Sequence, residues 1–260
     1  MRERSDRFSE PRRLSVLLSD KTKRAISSKR TSFTITPEIT KLFAHSAVEI
    51  WERAVHSFLV SVALSESSEI WASVSGYYAS HYAVRALAHV LGYFHLHSMN
   101  RNIILNLVTH QCQIDSPKGQ DGREHWYYWK VVASDLAFAN NLLFNLDLAN
   151  QETVDSTHRT WANYVELVDN FAYKNALDDN AIKKRIREIS EFPLIAPPFP
   201  GPYPDVQNVQ LIAYHRIVTF RAHIDNGLGK RNHFWNSHRN PAWCRELINF
   251  QVAEPQFMHE

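Results

Sequence analysis

Tyr77-Tyr78-Ala79-Ser80-His81-Tyr82-Ala83-Val84-Arg85-Ala86-Leu87 is the stretch on which the fold class turns. It holds neither glycine nor proline, and its alanine and leucine favour a helical backbone. Extended outward, the apolar positions Ile70, Val74, Tyr77, Val84, Ala88 and Leu91 recur at intervals of three, four and seven residues. That spacing predicts one helix from about Glu69 to Leu91, with Gly92 as its C-terminal stop. Ala72, Ser73, Ser75, Gly76, Ala79, Ser80 and Ala83 carry little bulk, so a second helix can approach closely. His81, Arg85 and His89 recur every four residues and stack along one flank. The flank reads as a polar row at the core edge with satisfied hydrogen bonds, and its functional alternative is contact with RNA.

Working upstream, Ser65-Glu66-Ser67-Ser68 is a polar break. Before it, Thr36-Pro37-Glu38 is a helix start, with a hydroxyl cap, proline at the first helical position and an acid in the first turn. Ile39, Leu42, Phe43, Ala47, Ile50, Trp51, Ala54 and Phe58 keep helical spacing from there to about Ala63. Far downstream, Gly229-Lys230-Arg231-Asn232-His233-Phe234-Trp235-Asn236-Ser237-His238 sets an arginine, an amide and a histidine within eight residues. Arginine stays charged and can fork two donors onto phosphate oxygens. Histidine moves protons near neutrality. If residues 230–240 are helical, Arg231 and His238 are nearly superposed in angle and about 10.5 Å apart along the axis. Phe234 and Trp235 then lie between them, a pattern suited to burial against a second subunit. The bland alternative is that Arg231 caps neighbouring carbonyls and His238 packs against Trp235.

The long amphipathic helix, the short break, the YYA helix continuing into Ala83-x-Arg85-Ala86-Leu87 and the glycine stop resemble the HEPN family of helical domains. The resemblance covers roughly residues 38–95 and 207–250. It implies a compact helical bundle and, in the family's catalytic members, an Arg-x4–6-His element late in the domain. Arg231-Asn232-(x5)-His238 matches that element at its longest spacing. By resemblance, two copies bring their motifs together across a homodimer, and the reaction is RNA cleavage by 2′-hydroxyl attack with no metal and no cofactor. His238 would carry the proton, Arg231 would stabilise charge on the non-bridging oxygens, and Asn232 would orient the phosphate or the histidine. His233 is the alternative proton carrier. The family setting is cytoplasmic, in a toxin–antitoxin or phage-defence system, with an antitoxin or a larger defence complex as partner.

The rest of the chain departs from a minimal bundle. Asn102–Thr109 is rich in branched residues and reads as a strand, and His125–Val132 reads as a second one. Residues 101–133 are therefore expected to form an inserted β-hairpin. Helical patterns resume at about 134–148 and 157–190, and a proline-rich connector spans 193–204. Val209, Ile212, Ala213, Ile217, Phe220 and Ile224 mark a last helix ended by Asn226-Gly227.

The chain's 260 residues, 44% hydrophobic and with only seven glycines, are enough for one large domain or two small ones and favour helix over sheet, a mainly α fold. No run of eighteen apolar residues suggests a membrane span, and the charged N-terminus lacks a secretory core. Cys112 and Cys244 match no metal-binding spacing. His95-Leu96-His97 and His110-Gln111-Cys112 lack visible partners for a metal, so none is expected. Net charge is only +2, yet residues 1–30 hold ten Lys or Arg against four acids. The expectation is a basic, partly disordered arm over 1–35 ahead of a HEPN-like domain over 36–260. Arg12, Arg13, Lys23 and Arg24, with Lys230, are the candidate nucleic-acid contacts. The rival reading is a non-catalytic HEPN scaffold that binds nucleic acid or a partner protein. A hydrolase of another fold is disfavoured, since neither a Gly-x-Ser-x-Gly elbow nor a phosphate-binding glycine loop is present.

Overall fold

A computed structural model describes residues 10–106, 109–116, 124–135, 138, 142–145, 177–192 and 206–227. Helices dominate these, beside a small antiparallel sheet. The chain divides into two compact units, Met1–Ile50 with Arg85–Ser134 and Trp51–Val84 with Asp135–Glu260. Helices α2 (Pro37–Ala63) and α3 (Glu69–Val90) contribute residues to both.

In the first unit, α1 (Glu10–Ser27) precedes β1 (Ser32–Thr34), and β2 (Tyr93–Leu96), β3 (Arg101–Asn106) and β4 (Gln111–Asp115) complete a sheet ordered β1-β4-β3-β2. The stretch expected as a partly disordered arm is thus helical over Glu10–Ser27. Leu14 and Leu18 have no exposed surface and join Ile39, Phe43, Phe94, Ile103 and Cys112 in one apolar core. The Glu49 carboxylate accepts from the Glu10 backbone N–H at 2.7 Å, satisfying a donor that the first turn leaves open. Cross-strand partners Phe94↔Ile103 and Leu105↔Cys112 put alternate residues on the core face. Gly92 closes α3 at φ +88, and a Cβ there would meet the Leu105 Cβ at 2.8 Å. Only glycine fits both demands.

The expected hairpin is corrected in its second strand. β3 pairs with Gln111–Asp115, and His125–Val132 lies in a helix, α4 (Glu124–Ser134). Aromatic and branched residues gave that segment strand character, but burial follows a helix. Tyr128 and Val132 are both buried, as are Trp129 and Ala133, while Lys130 is exposed. A strand would have put Lys130 on the same face as Tyr128.

The second unit is built from residues 51–63 of α2, residues 69–84 of α3, α5 (Leu142–Asn145), α6 (Asp179–Glu191) and α7 (Val206–Gly227). Trp51 stacks on Phe220 with ring centres 5.7 Å apart, and its indole N–H donates to the Ile217 carbonyl at 2.9 Å. Phe58 meets Tyr214 at 6.0 Å. A Cβ on Gly76 would lie 2.6 Å from Val209 Cγ1, so α7 comes against α3 where the sequence is smallest. The proline-rich connector and most of the expected helices at 134–148 and 157–190 lie outside the described residues.

Candidate functional site

Two polar constellations stand out, one in each unit. In the first, α3 carries His89, α2 Ser46, α4 Tyr128, β2 His95 and β3 Asn102, and all five are buried. His89 Nδ1 is 2.9 Å from Ser46 Oγ, and its Nε2 is 3.4 Å from Tyr128 Oη. The His95 backbone N–H donates to Tyr128 Oη at 3.1 Å. Burial, and after it the Arg85 cation, hold His89 well below the ordinary imidazole value, so its ring is neutral. One ring nitrogen then donates while the other accepts. The ring therefore donates one of its two contacts, to Ser46 Oγ or to Tyr128 Oη, and accepts the other. His95 Nδ1 donates to Asn102 Oδ1 at 2.7 Å, which fixes that ring against the neighbouring strand. The Arg85 guanidinium lies 5.3 Å from the Tyr128 ring centre. These hydrogen bonds order two imidazoles and join three helices to the sheet. Their members are covered, which suits holding the fold together better than meeting a substrate.

In the second unit the centre is Arg216 of α7, a fully buried arginine. One guanidinium nitrogen donates to Ser80 Oγ. The other donates to the Leu143 carbonyl at 3.1 Å, and the group lies 5.9 Å from the Phe144 ring centre. Gln210 of the same helix donates to the Ser61 carbonyl at 3.1 Å and to Ser65 Oγ at 2.8 Å. Arg216 therefore bonds α7 directly to the YYA helix. It was missed in the sequence, although position 216 falls on the stripe of Val209, Ile212, Ala213 and Phe220 where an apolar residue is expected. An open polar cleft of about 510 Å³ lies in this unit, with Glu66, Glu69, Lys184, Arg185 and Glu188 among its lining.

The predicted site residues are placed unevenly. His81 is buried, its ring parallel to Tyr77 at 6.3 Å. Arg85 is half-buried on the next turn of α3. The polar row of α3 thus belongs to the core edge. Arg12, Arg13, Lys23 and Arg24 are exposed on α1, with Arg13 3.0 Å from the Glu10 carboxylate. Lys230, Arg231, Asn232, His233 and His238 lie outside the described residues. His215 and His223, on the helix before that motif, are both lowered from the ordinary imidazole value by burial. Among the described residues no three His, Cys, Asp or Glu side chains gather as a metal site, and no helix is long and apolar enough to cross a membrane. Compared with protein-family models, curated proteins and solved structures, the chain matches none.

Proposed function

We propose that this chain is a metal-independent endoribonuclease of the HEPN type. Arg231 and Asn232 bind and polarise the scissile phosphate, and His238, or His233 in its place, moves the proton. The ribose 2′-hydroxyl attacks phosphorus, the bond to the 5′-oxygen breaks, and a 2′,3′-cyclic phosphate is left on the upstream fragment. The working form is a homodimer in the cytoplasm, within a toxin or phage-defence system. The observation that carries this reading is the Arg216–Ser80 hydrogen bond. It ties the helix that leads into the motif, ending at Gly227 four residues before Arg231, to the helix that carries the YYA sequence. The test is labelled RNA incubated in EDTA with wild type, Arg231→Ala and His238→Ala. Wild type cleaves, and each variant loses about 10²–10⁴-fold, the range for losing an oriented donor or a proton carrier. Equal behaviour of all three proteins would end the proposal.

The second reading, a HEPN scaffold that binds nucleic acid or a partner without cleaving, is favoured by the burial of His81 and His89 on α3. It predicts RNA or protein capture that survives both substitutions.

A further inference from the structure

The C-terminal end of α1 carries a charge pattern different from that of the other basic helix. Lys23, Arg24, Lys29 and Arg30 are all exposed. None of their side chains has a partner among the described residues. At the opposite end of α1, Arg13 is held by Glu10, and Arg12 is also engaged. On α6 three of the four cations are compensated within the helix, Lys183 against Asp179 and Lys184 and Arg185 against Glu188, which leaves Arg187 exposed by itself. Four cations within eight residues, with no acid among them, are thus left facing water.

The backbone holds them in one place. The Arg30 N–H bonds the Ala25 carbonyl at 2.8 Å and the Lys29 N–H bonds that of Ile26 at 2.9 Å, a helix-ending turn that folds the chain back beside the last turn of α1. Lys29 takes the left-handed conformation there, φ 56, where glycine would be unstrained. A cation occupies the position that local backbone preference would give to glycine. Lys23 and Arg24 stand about one helical turn back, roughly 6 Å along the axis from Ser27.

We propose that this end of α1, with Lys23, Arg24, Lys29 and Arg30, is a docking surface for the phosphodiester backbone of single-stranded RNA. Naming RNA as the polyanion rests on the endoribonuclease reading. A membrane surface would need a free apolar helix face beneath the charges. The apolar stripe of α1 is already spent, because Leu14, Leu18 and Ala25 are buried in the protein core, and the exposed apolar residues of this helix, Val16 and Ile26, stand ten residues apart and make no continuous face. Charge without a free apolar face suits a hydrated polyanion bound through counterion release. The cluster differs from the sequence expectation by losing Arg12 and Arg13 and gaining Lys29 and Arg30.

The test uses a fluorescein-labelled 20-nucleotide RNA with 2′-O-methyl riboses, which this chemistry cannot cleave, titrated by anisotropy from low to moderate salt. The variant changes Lys23, Arg24, Lys29 and Arg30 to Gln, and circular dichroism confirms its folding. Wild type should bind with a steep salt dependence. The variant should bind at least about tenfold more weakly at low salt, its salt slope shallower by up to about 3, near 0.7 for each lost phosphate contact. Unchanged binding by the folded variant would overturn the proposal, as would capture by phosphatidylserine vesicles without capture by RNA. His238→Ala should bind like wild type. If RNA binding is lost in the quadruple variant yet wild type never cleaves RNA, the docking surface stands and the nuclease reading falls.

Discussion

Lys29 sits at φ 56 in a turn that satisfies the last carbonyls of α1, and a side chain in that conformation is strained where glycine is not. Lys29→Gly should therefore stabilise the protein by about 1 kcal/mol, read as a higher urea midpoint with an unchanged slope. A lower midpoint would show that the lysine side chain holds the turn in some other way. His89 makes the opposite kind of statement. Its folded pKa lies well below 6.5, while the unfolded chain titrates near that value. Between the two, only the unfolded chain binds the proton, so stability falls as pH drops through about 6.5, by up to about 1.4 kcal/mol per pH unit. His45, His215 and His223 are lowered as well and act in the same direction. Comparing urea midpoints at pH 7.5 and 5.5 should give a clear loss, partly flattened in His89→Gln. A pH dependence identical in that variant would take His89 out of the account. His89 was legible as a core-edge histidine because its row falls every four residues on α3. Its partners were not, since Ser46 and Tyr128 are 43 and 39 residues away in sequence and only tertiary packing joins them.

Among the elements, those read best from sequence carry both a period and a boundary signal. Thr36 accepts from the Ile39 N–H at 3.4 Å where a cap was expected, and Gly92 ends α3 where a stop was expected. β1 and β2 escaped because strands of three and four residues are too short to display alternation. β4 does alternate, with Cys112 buried and Gln111 and Gln113 exposed, but its two apolar residues are a faint signal beside the aromatic run that follows. That run drew the strand expectation and folded as α4, because tertiary burial outweighs β-propensity. The small residues of α3 were read correctly as a close-approach surface, and Gly76 makes this quantitative. Gly76→Ala adds helix propensity but drives a methyl to 2.6 Å from Val209 Cγ1. We expect a net loss of about 1–3 kcal/mol, since overpacking exceeds the propensity gain of roughly 1 kcal/mol. Val209→Ala removes the colliding methyl, so the double variant should be more stable than the sum of the two singles predicts. Strict additivity in a urea-denaturation cycle would mean that α3 and α7 are less tightly packed at this point than the distance implies.

For the molecule as a whole, the order of long helices was legible and the division into two units was not, because both α2 and α3 contribute to each. No sequence period marks such a division. The functional proposal concerns assembly as well as fold, since the HEPN reading has each phosphate meeting residues of two copies. That claim separates cleanly from activity. Arg231→Ala and His238→Ala are each expected to be inactive alone. If a site takes its arginine from one copy and its histidine from the other, a mixed dimer has one site lacking both groups and one site intact. Random exchange makes half of the dimers mixed, so denaturing and refolding an equimolar mixture should restore about a quarter of wild-type cleavage. A site built within one copy would restore nothing, because each chain would still lack one of the two groups. Light scattering on the same refolded sample guards the conclusion. A strictly monomeric species together with restored cleavage would contradict the two-copy site, whereas dimers without restored cleavage would leave both groups acting from a single chain.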